Sequence, residues 1–189
     1  MSTPRRQQIL ETAAELFAER GFHGVSVHDI GAACGITGPA LYKHFAGKDD
    51  ILSQSLTAIS ERLLSVGRAG AEDASGPAEA LDALIAWHID FALGNPALIV
   101  IQEREWANLD NAGRKEVRSL QLAYIDLWVA TLRQIRAELD APEARSIVQA
   151  TFGLLNSTPH SARVSETAMR ALLTPMARAA LLARAHGAG

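Results

Sequence analysis

The stretch "CGITGPALYKHFAGKDD", residues 34–50, interrupts a helical pattern twice and decides how the N-terminal part of the chain folds. Thr37, two residues after Gly35, predicts a helix N-cap, because its hydroxyl can accept a hydrogen bond from a first-turn amide. Pro39 falls in the first turn of that helix, where its missing N–H costs little. The interruption is therefore a turn between two helices.

The helix that begins after Thr37 is predicted to have one inward side and one exposed side. Leu41 and Phe45 are four residues apart and point towards a core. Pro39 and Lys43 lie nearly opposite them on a helical wheel. This short helix must therefore be held by its apolar side alone, with its other side available for contact.

Two more helices are predicted before this one. An apolar stripe along the first ends at Gly21, a typical C-terminal cap. Ser26 predicts the N-cap of the second, and Asp29 stands three residues later at the capping-box position. Gly35 ends that helix. Short helices joined by a tight glycine turn are typical of a helix-turn-helix.

The rest of the chain continues the helical spacing, and no alternating strand pattern occurs. A long helix is predicted from residue 49 to about 71, and the run "GAEDASGP" at 70–77 breaks the pattern. Five further helices follow. The predicted fold class is all-α, with a three-helix domain at 1–48 and a larger helical domain at 49–189.

Composition limits the class of protein. The chain has 189 residues, of which 48% are hydrophobic and 21% charged, as in a globular protein. Its one cysteine predicts a reducing cytosol, so we expect a cytoplasmic protein. The longest apolar run, "ALIVI" at 97–101, is too short to span a bilayer, and the amphipathic N-terminus is unlike a signal peptide. No membrane partner is expected.

Residues 7–52 resemble a known family. The run "AAELFAERGFHGVSVHDIGAACGITGPALYKHFAGKDDIL" closely resembles the DNA-binding segment of the tetracycline-repressor (TetR) family of bacterial transcriptional regulators. The residues that carry the resemblance are Phe17, Gly21, Ser26, Val27, Asp29, Ile30, Gly35, Ile36, Thr37, Leu41, Tyr42, His44, Phe45 and Lys48. The remaining three quarters of the chain fit the family in helical content and length only.

The resemblance implies an all-α homodimer that binds double-stranded DNA, with a C-terminal domain for an effector and for dimerisation. It places these residues in the major groove: Thr37, Gly38, Pro39, Ala40, Tyr42 and Lys43. Tyr42, His44 and Lys48 would mainly touch phosphates, and Ser26 and His28 would meet the DNA backbone at the start of the second helix. A solvated surface role is the alternative for His28 and His44.

The sequence departs from the family pattern at two positions. Gly31 stands where the family usually has alanine, which loosens the second helix by about 1 kcal/mol. Pro39 cannot donate a hydrogen bond to a base, so that position offers only apolar contact, as to a thymine methyl. Sequence recognition is then expected to depend on Lys43, Thr37 and DNA shape.

The basic residues near the N-terminus have two interpretations. The net charge of −3 excludes a uniformly basic protein, although Lys43, His44 and Lys48 form a local basic patch. Arg5 and Arg6 either reach a phosphate or the minor groove, or form a solvated arm.

Large aromatic residues concentrate in the second predicted domain, within residues 87–128. Bulky aromatics with a few polar groups are typical of an apolar ligand pocket between helices. The candidate residues for a small apolar effector are Trp87, His88, Phe91, Gln102, Trp106, Tyr124 and Trp128. Ordinary core packing is the alternative for each of them.

The last two predicted helices are the candidate dimer surface, because each carries a strong apolar stripe. The candidate residues are Phe152, Leu155, Leu172, Leu173, Met176 and Leu181. These stripes either close the core of the monomer or meet their twins, and two such adjacent helices favour both.

Catalytic and metal chemistry find no support in the sequence. Gly-rich phosphate loops, G-x-S-x-G, H-E-x-x-H and paired C-x-x-C motifs do not occur. His88, Asp90 and His160 are the candidates for a metal site. His88 and Asp90 are two apart on a helix and point in different directions, and no second pair of ligands occurs near them. No catalytic residue, metal or cofactor is predicted, and we do not expect an enzyme.

The predicted function is a ligand-responsive transcriptional repressor, released from a palindromic operator by a small apolar effector. An effector-independent DNA-binding protein and a helical enzyme that binds a small molecule are the alternatives.

Overall fold

The computed structural model describes residues 4–183, and within that range the chain forms helices and turns but no strand. The helices are α1 Pro4–Arg20, α2 Val27–Ala33, α3 Gly38–Leu41, α4 Lys48–Glu72, α5 Pro77–Gly94, α6 Pro96–Arg104, α7 Asn111–Ile135, α8 Ala141–Leu155, α9 Thr158–Ser161 and α10 Glu166–Leu182, with a 3₁₀ turn at Trp106–Asn108. The all-α prediction is confirmed.

Helix ends in the N-terminal region follow the predicted signals. Gly21 and Gly35 have φ of 72° and 66°, the left-handed backbone that glycine adopts without strain. Ser26 Oγ accepts the Asp29 amide N–H at 3.1 Å, and the Ser26 N–H donates to Asp29 Oδ2 at 2.8 Å. The capping box of α2 is therefore present as predicted.

Thr37 occupies the N-cap position of α3, but its side chain makes no capping hydrogen bond. The physical reason lies in the two amides that such a cap would serve. Pro39 has no N–H, and the Ala40 N–H donates instead to the Thr37 carbonyl at 3.0 Å. The Thr37 side chain is consequently exposed and takes no part in the cap.

The chain divides into two compact units whose boundaries differ from the predicted domain boundary after residue 48. Among the described residues, the first unit comprises 4–62 and 95–120, and the second comprises 63–94 and 121–183. α6 joins the first unit because it packs against α1. α4 and α7 each contribute residues to both units.

The first unit has one apolar core, formed by α1, α2, α3, the start of α4, α6 and the start of α7. Its buried members include Ile9, Phe17, Phe22, Ile30, Leu41, Phe45, Ile51, Leu52, Leu56, Ile101 and Val117. α1 packs on α2 and α6, and α2 packs on α3. α3 is therefore held in place by packing against α2 and the core of the first unit.

In the second unit α10 packs against α5 and α8, and α5 also packs against α8 and α9. One row of α10 is buried, namely Met169, Leu173, Ala177 and Leu181. The Arg136 guanidinium is buried and donates to the carbonyls of Leu181 at 3.3 Å and Ala183 at 2.6 Å, which closes the C-terminal end of α10.

Within residues 4–183, no single helix is long and apolar enough to cross a membrane, and α5 with α6 reaches that composition only as a bent pair broken at Asn95. No group of three or more His, Cys, Asp or Glu residues in the same range could hold a metal ion.

A candidate nucleic-acid interface and a buried aromatic cluster

The α3 segment, residues 37–45, has the two-sided character predicted for it. Leu41 and Phe45 are buried, at 0% and 2% exposure, whereas Tyr42 is 57% exposed and Lys43 is exposed. The helix itself ends at Leu41, shorter than the predicted run to Phe45, and residues 42–44 continue as hydrogen-bonded turn. The Phe45 N–H still donates to the Leu41 carbonyl at 3.1 Å, which holds the end of the segment to the helix. A large aromatic ring thus stands in solvent beside an exposed cation, held from behind by two buried anchors.

The candidate DNA-binding residues all lie in the first unit, at or near its surface. Ser26, His28, Thr37, Pro39, Tyr42 and Lys43 are exposed, while Gly38, Ala40, His44 and Lys48 are half-buried. An open surface groove brings together Ser26, His28, Tyr42 and Lys48. The structure therefore presents the two helices of the turn motif on one continuous surface of this unit.

Lys48 is tied to the turn between α1 and α2. Its ammonium donates to the carbonyls of Phe22 at 2.9 Å and Val25 at 3.1 Å, and it lies 4.3 Å from the centre of the Phe22 ring. Such contacts give Lys48 a positioning role that the sequence did not reveal. One of its three N–H donors remains for a phosphate oxygen.

Arg5 and Arg6 belong to the first turn of α1 and do not form a separate arm. Arg5 donates to the Cys34 carbonyl at 3.3 Å, and the Arg6 guanidinium lies 5.1 Å from the centre of the Phe45 ring. Both side chains therefore brace the ends of α2 and of the α3 segment.

The end of α6 holds the other side of the α1–α2 turn. Glu105 is 6% exposed, and its carboxylate accepts the Phe22 N–H at 3.2 Å and the Asn108 side-chain amide at 2.7 Å. Arg104 donates to the Ala18 carbonyl at 3.0 Å, near the end of α1. The sequence did not predict these contacts, because a charged run such as "QEREW" at 102–106 is typical of a solvent-exposed helix face.

The second unit contains an aromatic cluster, defined as His88, Phe91, Tyr124, Trp128 and Phe152. The His88 ring stacks on Phe152 at 4.6 Å between centroids and on Tyr124 at 5.8 Å, and it meets Phe91 and Trp128 edge-on. Phe152 also contacts Trp128 at 5.0 Å. Helices α5, α7 and α8 thus meet around one histidine.

Burial controls the ionisation of this cluster. His88 is 2% exposed, and burial lowers its pKa to about 4. Its hydrogen bond to Asn156 raises the pKa, but by less than burial lowers it. Burial likewise raises the pKa of the Tyr124 hydroxyl, and the Trp128 indole, which is close to that hydroxyl, opposes the rise. Neither atom has a partner that meets hydrogen-bond geometry. At neutral pH both groups are uncharged.

The candidate ligand residues are brought together only in part. His88, Phe91, Tyr124 and Trp128 join the aromatic cluster, and Trp87 lies in the same unit, where its indole donates to the Leu63 carbonyl at 3.1 Å. Gln102 and Trp106 belong to the first unit, where Trp106 packs against that unit's core. The structure therefore does not collect all seven candidates in one unit.

The candidate dimer residues separate into two groups. Leu155, Leu173 and Leu181 are buried inside the second unit, and the Phe152 ring turns onto the aromatic cluster, so packing within the subunit accounts for these four. Leu172 and Met176 are 53% and 49% exposed on the other row of α10. Of the six candidates, only these two offer an exposed apolar surface within a single chain.

The first unit defines a class of protein: a helix-turn-helix with an exposed recognition segment, joined to a second helical unit. The profile for "Bacterial regulatory proteins, tetR family" matches residues 9–54, and that for "Tetracyclin repressor-like, C-terminal domain" matches residues 74–160. The chain belongs to the TetR family of bacterial regulatory proteins, a family of DNA-binding transcriptional regulators.

Relatives agree with this assignment. The transcriptional repressor KstR2 of Mycobacterium tuberculosis is 30% identical over 131 residues, which cover 69% of this chain and 66% of KstR2. The TetR-family regulator PfmR of Thermus thermophilus shares the fold, with a TM-score of 0.81 at 24% identity over 99% of this chain and 100% of PfmR. FadR of Bacillus subtilis, solved with stearoyl-CoA, has a TM-score of 0.76 at 19% identity, covering 95% of this chain and 99% of FadR.

Proposed function

We propose that the chain is a cytoplasmic repressor that binds a palindromic operator as a homodimer and releases it when a small, largely apolar effector binds the second unit. The observation that carries this proposal is the α3 segment, where Tyr42 and Lys43 stand in solvent over the buried anchors Leu41 and Phe45. A helix presented in this way fits the major groove, and a symmetric pair reads two half-sites about 34 Å apart.

The division of labour within the interface follows from the side chains. Lys43 can donate to base edges in the major groove, whereas Pro39 offers only an apolar contact. Lys48, His44 and the start of α2 suit phosphate contacts, which set the register of the protein without reading sequence. Thr37 is free of any capping role and adds a hydroxyl to the reading side.

The effector class draws support from two relatives. KstR2 is described as a ketosteroid transcriptional regulator, and FadR was solved with a long-chain acyl-CoA. A steroid skeleton and a long acyl chain are both large and apolar, and the aromatic cluster of the second unit suits a molecule of that kind. For this chain we propose an effector with a comparable apolar body.

Release requires that the effector prefer the state that cannot bind DNA, because a ligand with equal affinity for both states shifts nothing. α4 is continuous between the units, and its first residue is Lys48. A change in the direction of α4 would move Lys48 and with it the α1–α2 turn, which alters the spacing of the two α3 segments in a dimer.

A footprint on the DNA upstream of the chain's own gene tests the proposal. We expect two protected half-sites about one helical turn apart, with affinity that falls steeply as salt rises. Long-chain acyl thioesters and steroids are then titrated, and one of them should abolish protection. Protection that no apolar compound reverses would favour an effector-independent DNA-binding protein, and no protection at all would contradict the regulator.

A further inference from the structure

Several polar atoms in the second unit are buried without a hydrogen-bond partner. They are His88 Nδ1, Gln121 Nε2, Tyr124 Oη and Trp128 Nε1. Three of these atoms belong to the aromatic cluster, and His88, Tyr124 and Trp128 are 2%, 3% and 0% exposed. Buried polar groups in native proteins almost always have a partner, and each unmet one destabilises the fold. This concentration therefore indicates a missing partner.

The donors and acceptors of these side chains define what the partner must be. His88 Nε2 lies 3.0 Å from Asn156 Oδ1, an acceptor, so Nε2 carries the proton and Nδ1 is left as an acceptor. Trp128 Nε1 only donates, and the Tyr124 hydroxyl both donates and accepts. The set offers two donors, the Trp128 N–H and the Tyr124 O–H, and two acceptors, His88 Nδ1 and the Tyr124 oxygen.

The partner must also be uncharged at its inner end. The ring cluster contains no Lys or Arg among its members, and its histidine is neutral at pH 7. A carboxylate or phosphate placed there would lose its hydration without gaining a cation, which is strongly unfavourable. A ketone, ester, thioester or hydroxyl oxygen accepts from the tyrosine and indole at no such cost.

Phe152 is the one ring of the aromatic cluster that is not fully buried, and it stacks directly on His88 and on Tyr124. It approaches Trp128 as well, with 5.0 Å between centroids. Because this ring packs on the three residues that carry the unpartnered atoms, it is the side chain whose displacement would make room beside them. From the sequence, Phe152 was predicted to lie in the dimer interface, where its ring would pack against the partner subunit.

We propose that the effector displaces the Phe152 ring and places an uncharged carbonyl or hydroxyl oxygen between Tyr124 and Trp128. The inference rests on the second unit being the effector domain, and it refines the effector from simply apolar to apolar with one neutral oxygen at its buried end. The competing explanations are buried water molecules that satisfy the same atoms, and a direct hydrogen bond from the Trp128 indole to the Tyr124 oxygen after a small rotation.

Three ring probes separate these explanations: acetophenone, ethylbenzene and benzoate, which differ only in the group carried by the ring. Phe152→Ala protein has the ring-sized space already open, and binding is measured by calorimetry on the full chain without DNA. We expect acetophenone to bind about tenfold more tightly than ethylbenzene, since each hydrogen bond gained contributes modestly. Benzoate should not bind measurably.

The matched control is the double variant Phe152→Ala/Tyr124→Phe, which removes only the hydroxyl. Its preference for acetophenone should fall to less than about threefold. Equal binding of acetophenone and ethylbenzene in Phe152→Ala, or tighter binding of benzoate, would overturn the proposal. So would a crystal structure of the acetophenone complex in which waters still occupy the Tyr124 and Trp128 positions.

The wild-type protein provides a measurement that does not depend on the variant folding. In ¹⁵N spectra the Trp128 indole N–H should move on addition of acetophenone, and further downfield at saturation than with ethylbenzene, because only acetophenone accepts its hydrogen bond. The Trp106 indole, in the first unit, should not move. An unmoved Trp128 signal at saturating probe would contradict the proposal.

The outcome is independent of the test of the regulator. Selective acetophenone binding without any protected operator would refute the regulator and leave this site in place. Operator release by purely apolar compounds, together with equal probe affinities, would refute the neutral-oxygen site and leave the regulator.

Discussion

Lys48 lies with its ammonium 2.9 Å from the Phe22 carbonyl oxygen and 4.3 Å from the centre of the Phe22 ring. From the other side the Phe22 N–H donates to the buried Glu105 carboxylate. The turn that separates α1 from the helix-turn-helix is therefore gripped by the first residue of α4 and by the end of α6. These two charged side chains therefore hold the turn that leads into α2, on which α3 packs.

Replacing Lys48 by methionine should lower the free energy of unfolding by about 1–2 kcal/mol, because a cation–π contact and two hydrogen bonds to carbonyls are lost. DNA affinity should fall by a similar factor on all sequences. Lys43→Met is the matched control, since it removes the same charge from an exposed side chain with no such contacts. Equal urea midpoints for the two variants would show that the Lys48 contacts do not stabilise the turn.

Ser26→Ala should destabilise the protein by about 1 kcal/mol through loss of the α2 cap. The same contact has a pH signature, because the Ser26 side-chain and backbone hydrogen bonds lower the pKa of Asp29. A lowered carboxyl pKa stabilises the fold above the unfolded-state value and loses that contribution as pH falls through the folded-state value. In urea unfolding, the difference between wild type and Ser26→Ala should narrow as pH falls from 7 to 3, without vanishing, because the Asp29 amide loses its cap at every pH. A constant difference would contradict this assignment.

His88 should make the protein acid-sensitive over a higher pH range. Its folded-state pKa is about 4 and its ordinary value 6.5, so the unfolded chain takes up a proton that the folded chain excludes. The stabilising contribution is complete above pH 6.5 and shrinks as pH falls towards 4, by about 2 kcal/mol at pH 5. Tyr124, the other titratable ring stacked on it, stays neutral over this range.

The pH dependence is measured as the difference in unfolding free energy between pH 8 and pH 5. His88→Gln should show a smaller loss than wild type, whereas His28→Gln, which changes an exposed histidine, should match wild type. A wild-type slope retained in His88→Gln would mean that another group carries the effect.

Neighbouring leucines on α10 separate dimerisation from folding. Leu172 is exposed and Leu173 is buried against α5 and α8, so Leu172→Lys should convert a dimer to a monomer with little loss of subunit stability. Leu173→Ala should instead cost about 2–5 kcal/mol by leaving a cavity. Light scattering and thermal unfolding distinguish the two. A Leu172→Lys protein that keeps its oligomeric state would place the subunit contact elsewhere.

Local signals allowed much of the first unit to be predicted from sequence. Gly21, Gly35 and the Ser26–Asp29 pair each act within a few residues, and the four-residue spacing of Leu41 and Phe45 fixes which side of α3 faces inward. Such features depend on backbone geometry and helical periodicity alone. They can therefore be predicted without knowledge of the rest of the fold.

Contacts between distant segments could not be predicted in the same way. Glu105 is 83 residues from Phe22, and nothing in its neighbours marks it as buried. Gln102 and Trp106 are near the aromatic cluster in sequence, yet α6 packs with α1 in the first unit. On α10 one apolar stripe contained both a buried row and an exposed row, because helical spacing shows that a face is apolar but not what covers it.

The proposed regulator requires above all that the α3 segment present Tyr42 and Lys43 to a duplex. Anisotropy titration of a labelled upstream DNA fragment at several salt concentrations, with wild type, Tyr42→Ala and Lys43→Ala, tests it directly. We expect both variants to fold as wild type does and to lose affinity, and Lys43→Ala also to change the preferred sequence. Wild-type affinity and preference in both variants would contradict it.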